Sequence, residues 1–568
     1  MDSKLWKCAS DGKEHIAEQL IRTKSLPNAV ALYLAAKGIE PKDVDMYFNA
    51  TFSDLSDPFR FPGIDLAVER LWKAIRDREQ ILIHGDYDTD GITATALLAW
   101  VLEKNGGIVS SFLPHRFDDG YGFTPDSLQK ALDGCGGSCG VLVTVDCGIN
   151  SAEAVATARA KNIDVIITDH HDPAEDLPDA IAIINPKVHT EVADLRNLSG
   201  VGVAFKLAHA FVLYGCAHNE GDLHDVLDYV ALGTIADIVP ILGENRILVK
   251  YGMEILKKQI RPGVRALIEV ARVPAKLQPS DITFKLAPRI NAAGRLGNAI
   301  TALQLMTAKN IVDAYRYADM LEGFNQKRQT KEQEIFNEAK RQVESDPNFS
   351  SSMTILAAGD AWHQGVIGIV ASRFARDYNR PAIVLTIQGD EAHGSGRSIG
   401  GLNMIQILSK CSHLLTRFGG HPMAVGLGLH KDKIAEFQKE FEAHVREELQ
   451  PKDLISSVSY DGLVNIGDLE DEFFQYYEYL GPFGHSNAHP VFRLNQVEVV
   501  RTYPIKPGHT KGLMRDIYGN TCDFIAFNMT IEPRVKWDVV ATPQINEYYG
   551  EKRRQLQIVD FRPSNPYE

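Results

Sequence analysis

Three aspartates fall at alternate positions in "HGDYDTDG", residues 84–91: Asp86, Asp88 and Asp90. They follow an apolar run, "ILIH" (81–84), and precede a helix-forming segment. Like charges this close repel, so the spacing costs stability unless a cation sits among them. Other apolar runs end in the same way. Asp146 follows "VLVTV", Asp169, His170 and His171 follow "VIIT", and Asp237 closes "YVALGTIADIVP". Carboxylates with one or two imidazoles suit Mn2+, Mg2+ or Zn2+, and two ions share such a site through a bridging aspartate. Ions about 3.5–4 Å apart activate water and stabilise the charge of an in-line displacement at phosphorus. A single aspartate after a strand is usually a turn or cap residue, and Asp86 and Asp164 each admit that reading. His189, His209 and His224 read as structural. The full set favours metal.

The elements that must position these residues are legible as a pattern. Runs at 81–84, 140–145, 164–168 and 180–184 alternate with helical segments such as 91–104 and 151–161. Short apolar strands separated by helices indicate a parallel sheet in an α/β fold, whose ligands bind outside the carboxyl ends of the strands. The acidic residues therefore converge on one crevice if their strands are neighbours. Helical patterns dominate from 199 to about 270. Residues 310–345 form one long, charged segment stopped by Asp346–Pro347, too polar for a core helix and expected to connect two domains. Gly323 costs about 1 kcal/mol there relative to alanine and admits a break. A second α/β pattern runs from 353 to about 450 and holds two glycine-rich loops, "HGSGRSIGG" and "FGGHPMAVGLG". Beyond "LQPKDL" (449–454), short strand-like runs indicate a small β-barrel.

The chain of 568 residues exceeds one core and implies three or four domains of about 100–200 residues. Its net charge of −14 argues against broad, non-specific nucleic-acid binding but leaves room for a local basic groove. The sequence holds no apolar run of about 18 residues, so no membrane span is expected. The start, "MDSKLWKCASDGKEH", lacks the apolar core of a signal peptide. Seven scattered cysteines read as free thiols in a reducing compartment, and a cytoplasmic protein is expected. Cys135 and Cys139 are spaced loosely like metal ligands but have no matching second pair.

"HGDYDTDG", "VTVDCGIN", "TDHH" and "GTIADIVP" resemble the four motifs of the DHH phosphoesterase superfamily. "WHQGVIGIVASR", "GSGRS" and "GGHPMAVGL" are similar to its associated substrate-binding domain. "PHRFDDGYGF", "APRINAAGRLG" and "GPFGHSNAHPVF" narrow the resemblance to its bacterial single-strand-specific exonucleases. It runs from about residue 28 through most of the chain, with the motifs in order. The resemblance implies hydrolysis of single-stranded DNA from the 5′ end to mononucleotides with two Mg2+ or Mn2+ ions, in recombination and repair. Carried over by motif, the metal ligands are Asp88, Asp90, Asp146, His170 and Asp237, with His84 and Asp86 as further candidates. Asp146 is the expected bridge, and Asp90 and Asp146 are counted with His171 as catalytic. His171 faces the scissile phosphate, stabilising charge or assisting the leaving oxygen. Glycine lets backbone amides approach a phosphate and an arginine fork grips it. Arg373, Ser395, Arg397 and His421 are therefore expected to bind substrate, joined by Arg116, Arg289 and Arg295. In "GPFGHSN", Ser486 replaces a glycine usual in these exonucleases.

These signals divide the chain into an N-terminal segment (1–45), a DHH catalytic domain (46–300) and a connecting helix region (301–346). A DHH-associated substrate-binding domain (347–452) and an OB-fold-like DNA-binding domain (453–568) follow. An OB-fold offers aromatic platforms to single strands, although Phe483, Phe492 and Tyr503 read first as core residues. Single-stranded DNA is the expected partner, beside a single-strand-binding protein and a helicase, for a monomeric enzyme with no membrane contact. A DHH enzyme for oligoribonucleotides or other small nucleotides would lack the OB-like domain. A non-catalytic DNA-binding scaffold would have lost ligands. A nucleotide-dependent oxidoreductase finds only "SGVGVAF" (199–205), which reads as a helix start.

Overall fold

The computed structural model describes residues 4–116, 122–215, 221–505, 508–533, 535–548 and 551–564; of the motif at 114–123, residues 117–121 lie outside them. The fold divides into two compact units. The smaller is built mainly from Asp319–Ser457 with Asn291–Asn298, the larger from Trp6–Ile290, Ala299–Ala318 and the described residues from Val458 on.

In the larger unit, five strands form one parallel sheet: β1 (Gln80–Gly85), β2 (Ile108–Phe112), β3 (Val141–Val145), β4 (Asp164–Thr168) and β5 (Ala182–Ile184). Their order is β2-β1-β3-β4-β5. The chain thus leaves β1 toward one edge and returns through β3 toward the other, so β1 and β3 flank the topological switch point where such sheets bind ligands. Strand β3 is buried along its whole length, which accounts for its unbroken apolar run. Helix α1 (Thr89–Lys104) follows β1 and is buried on nearly every side, between the sheet and helices α2 (Gly200–Tyr214) and α3 (Leu227–Ala236). It is accordingly apolar around most of its circumference.

Helix α4 (Ile311–Glu344) is continuous through Gly323, so the break admitted by sequence does not occur. Helix α4 is also less solvated than its charge implies. Ile335, Phe336, Ala339 and Val343 enter the core of the smaller unit. That core lies against a mixed sheet of order β9-β10-β8-β7-β6, made of β6 (Ile355–Asp360), β7 (Ala382–Gln388), β8 (Glu391–Arg397), β9 (Arg417–His421) and β10 (Ala424–His430). Helices α5 (Gln364–Tyr378), α6 (Met404–Lys410) and α7 (Ile434–Glu448) contribute Val366, Phe374, Ile407, Phe437 and Phe441 to it.

The C-terminal strands β11 (Phe492–Pro504), β12 (Thr510–Arg515), β13 (Thr521–Ala526), β14 (Lys536–Tyr548) and β15 (Glu551–Pro563) pair in the order β11-β12-β13-β15-β14, and β14 pairs back to β11. The sheet is therefore closed, as expected of an OB-like barrel. Phe492 is fully buried and Phe483 is partly buried against the core, whereas Tyr503 is 46% exposed. The N-terminal residues are part of this core. Val30, Tyr33 and Leu34 pack with Phe473, Phe492, Phe524 and Leu556. The hydroxyls of Tyr33 and Tyr47 both donate to Asn487 Oδ1, each at 3.0 Å.

Asn487 also donates to Leu480 O at 3.0 Å and Pro482 O at 2.9 Å, fixing the turn that contains Ser486. Ser486 has φ +60° and is exposed. The position demands the left-handed region, which explains the glycine usual there. Ser486→Gly is expected to stabilise the protein by about 0.5–1 kcal/mol, seen as a higher denaturation midpoint.

Candidate metal centre

Asp86, Asp88 and Asp90 leave the end of β1, and Asp146 leaves the end of the adjacent β3. Backbone conformation aims them. Asp88 is the N-cap of α1, its Oδ1 accepting from the amides of Asp90 (2.9 Å) and Gly91 (3.1 Å). The cap is thus Asp88, while Asp86 is 3% exposed and points into the cluster with Asp88 and Asp146. Asp164 is an ion-pair partner of Arg70. Asp146 has φ +60°, and Ile238, directly after Asp237, has φ +61°. Such values in a β-branched residue are rare and mark sites where packing overrides local preference.

The ligand-bearing atoms fall into three overlapping groups, each with its atoms within 4.8 Å of one another: Asp86–Asp88–Asp146, Asp146–His170–His171 and Asp90–His170–Asp237. His170 Nε2 stands 3.2 Å from Asp146 Oδ1 and 3.6 Å from Asp237 Oδ2. Asp146 and His170 each belong to two groups, and a carboxylate such as Asp146 can serve two neighbouring cations.

Burial pushes the Asp86 carboxyl up to about 8 and the Asp90 carboxyl up to about 7, in each case with added repulsion from Asp88. Burial and the charges of Asp90 and Asp88 push Asp237 up to about 9, and Asp146 is raised by the same causes. His170 is driven down to about 3 by burial and by His171, so its imidazole is neutral, as a metal ligand must be. Asp86 Oδ1 and Asp146 Oδ1 are buried without a hydrogen bond. Buried carboxylate oxygens without donors, crowded beside a neutral imidazole, fit a pair of divalent cations and little else.

Two supports were not legible as metal chemistry. The amides of Gly200 and Val201, at the start of α2, donate to Asp90 Oδ2 (2.6 Å) and Oδ1 (2.9 Å). The "SGVGVAF" segment is a helix start, as its sequence indicates, but one that holds a site residue. A Cβ at Gly200 would overlap the Asp146 carboxylate. The second support is Asp169. Its Oδ1 accepts from the amides of His170 (2.7 Å) and His171 (3.1 Å) and lies 2.7 Å from His171 Nδ1, while Oδ2 accepts from Ile149 N at 3.0 Å. Burial alone would lower the His171 imidazole, but its hydrogen bond to Asp169 prevails and holds it above the usual histidine range. His84 is placed elsewhere: its Nε2 is 3.0 Å from Ser127 Oγ and its Nδ1 3.8 Å from Cys147 Sγ, and it joins none of the three groups. His189, His209 and His224 also lie outside them, with His189 Nε2 on Ile183 O at 2.9 Å and His224 against the Phe52 ring.

The basic candidates are divided. In the larger unit, Arg116 lies 5.4 Å from the centre of the Tyr87 ring, between Asp86 and Asp88 in sequence, and Arg289 Nη1 donates to Lys285 O at 2.7 Å. In the smaller unit, Arg295 Nη1 donates to Gly365 O (3.1 Å) in the first turn of α5. Arg397 Nη1 donates to Ser395 Oγ (3.1 Å), and both side chains approach Gly368 of the same helix. Arg295, Ser395 and Arg397 thus gather near a helix N-terminus, an arrangement suited to phosphate. His421 is exposed at the end of β9, opposite Ala424, which is the register partner of Arg397. Arg373 turns away, its guanidinium 3.6 Å from the centre of the Phe336 ring and 3.1 Å from Gln333 Oε1. No helix among the described residues is long and apolar enough to cross a membrane.

Three family models match the chain in order: the DHH family, N-terminal domain, over 80–234; the DHHA1 domain over 350–447; and the RecJ OB domain over 460–560. The chain is 38% identical to the single-stranded-DNA-specific exonuclease RecJ of Escherichia coli over 536 residues, covering 88% of this chain and 90% of the relative. It is 36% identical to that of Salmonella typhimurium over 533 residues, with the same coverage. The structure of RecJ from Thermus thermophilus in complex with Mn2+ superposes with a TM-score of 0.84 at 26% identity, covering 100% of this chain and 80% of that one.

The raised carboxyls make stability depend on pH in the metal-free chain. In the folded state Asp86, Asp90 and Asp237 keep protons that the unfolded chain releases near pH 4, so stability is lost as pH rises through their folded values. Above about pH 6.5 His170 is neutral in both states and does not oppose this trend. The melting temperature in EDTA is therefore expected to fall between about pH 6.5 and pH 9, and saturating Mn2+ to flatten the decline.

Proposed function

Because this chain belongs to the RecJ family of single-stranded-DNA-specific exonucleases, we propose that it hydrolyses single-stranded DNA from the 5′ end to mononucleotides, in recombination and repair. The observation that carries the reading is the convergence of Asp86, Asp88, Asp90, Asp146, His170 and Asp237 at the switch point between β1 and β3. Those six residues would hold two Mg2+ or Mn2+ ions, with Asp146 between them. When bound, the ions supply water activation and charge stabilisation at the phosphorus.

The chain's own residues do the rest. The α2 amides hold Asp90 in one orientation, so it reaches the site already positioned. Asp169 orients the His171 ring through Nδ1 and raises its affinity for a proton. The other ring nitrogen is then the one through which His171 donates toward a phosphate or leaving oxygen. Arg295, Ser395 and Arg397 bind backbone phosphate, with Arg116, Arg289 and His421 as further contacts; Arg373 is a weaker candidate because Phe336 and Gln333 already engage it. The closed C-terminal barrel provides the surface for a longer strand, which favours DNA over small nucleotides. The enzyme works as a cytoplasmic monomer beside a helicase and a single-strand-binding protein.

The test is mononucleotide release from a long single strand labelled differently at its two ends, with Mg2+ or Mn2+, with EDTA, and with a matched duplex. Early loss of the 5′ label is expected, abolished by EDTA and absent on the duplex. Asp146→Ala is expected to lower kcat roughly 10³-fold or more. First loss of the 3′ label would overturn the polarity, and no release from any strand would overturn the function. Asp169→Asn is expected to slow the reaction by about 10²–10⁴-fold. It should also move the alkaline limb of the pH–rate profile to lower pH, since the carboxylate is what raises His171. An unmoved limb would exclude His171 as the proton donor.

A further inference from the structure

One other set of metal-binding side chains converges among the described residues, and it lies in the smaller unit. Cys411, Glu440 and His444 bring their ligand atoms within 4.8 Å of one another. Cys411 directly follows α6 and is fully buried. Glu440 and His444 stand one turn apart on α7, a spacing that puts both on one face of the helix. His413, two residues beyond the cysteine, has its Nε2 3.3 Å from Glu440 Oε2. His444 Nδ1 lies 3.2 Å from Glu447 Oε2. A carboxylate on one nitrogen of an imidazole orients it and strengthens the other nitrogen as a ligand.

We propose that this cluster binds a single Zn2+ through the Cys411 thiolate, the Glu440 carboxylate, the His444 imidazole and, as fourth ligand, His413. Tetrahedral zinc with ligands at about 2.0–2.3 Å brings donor atoms within about 3.3–3.8 Å of one another. The spacing of Cys411, Glu440 and His444 therefore needs only side-chain adjustment to close, and His413 would swing in beside Glu440. The thiolate distinguishes the cluster from the carboxylate site, whose oxygen-rich set suits Mg2+ or Mn2+. Burial and Glu440 push the Cys411 thiol up to about 11, so binding displaces a proton and tightens as pH rises. The bound ion would tie the segment leading into β9 to α7, and so brace the β9–β10 hairpin that ends in His421. No sequence motif announces the site, because its ligands come from two elements with no short common spacing.

The experiment is a Co2+ titration of the full-length, metal-stripped protein. Thiolate coordination to Co2+ gives a near-ultraviolet charge-transfer absorption that a carboxylate–imidazole site cannot give. The band is expected to saturate with one tightly bound Co2+, to be displaced by Zn2+, and to be absent in Cys411→Ser. His444→Ala is expected to weaken Co2+ binding by about tenfold or more, since even outer-sphere partners contribute about 10–100-fold. His444 is partly exposed, so this variant decides the matter if Cys411→Ser fails to fold. Absence of the band, or a band unaltered in His444→Ala, would overturn the proposal.

Discussion

Repulsion among carboxylates held out of water is the constraint around which the larger unit is organised. Asp86, Asp90 and Asp146 are each 3% exposed or less, and their charges face one another across adjacent strand ends. A fold keeps such a cluster by leaving some of its carboxyls protonated or by setting positive potential around it. Part of that comes from helix ends: α1 presents its first amides to Asp88, and α2 presents Gly200 and Val201 to Asp90. A helix N-terminus offsets about 0.3–2 kcal/mol per anion, and in the metal-free chain the protons kept by Asp86 and Asp90 relieve much of the remaining repulsion. The small residues around the site follow from the same requirement, because α2 and α3 can approach the carboxylates only where Gly200 and Gly233 lack side chains.

Two adjacent histidines are pushed in opposite directions by their surroundings. His170 stands beside Asp146 and Asp237 yet is driven down to about 3, because burial and the neighbouring His171 outweigh the pull of Asp169. His171 is held above the usual histidine range because Asp169, itself held by three backbone amides, lies against Nδ1. The pair shows how environment shifts two identical side chains in opposite directions. Asp169 acts through His171 and through the backbone of His170, which makes it a positioning residue.

Most of this site was legible because chemistry and topology coincide. The alternating aspartates, Asp146, the histidine pair and Asp237 each end an apolar run, and a parallel sheet gathers such ends. What the sequence could not display were contributions made by backbone. The amides that hold Asp90 carry no residue signature and arrive from a segment 110 positions away. The placement of His84 depends on Ser127 and Cys147, which come from other elements. The continuity of α4 through Gly323 was likewise hidden. Burial of Ile335, Phe336, Ala339 and Val343 supplies packing energy that propensity summed along the chain does not contain.

The N-terminal helices share their core with the C-terminal barrel, and this has a consequence for the order in which the chain is made. Tyr33 and its partner Asn487 are 454 residues apart. At about 5–20 residues per second, a ribosome takes roughly 20–90 s to reach the second after finishing the first. During that interval Val30, Tyr33 and Leu34 lack the barrel residues of their core, such as Phe492, Phe524 and Leu556, while the parallel sheet and the smaller unit are already synthesised. The nascent chain therefore carries an apolar segment around Val30 and Tyr33 that is sheltered late, and slow or interrupted translation exposes that segment for longest.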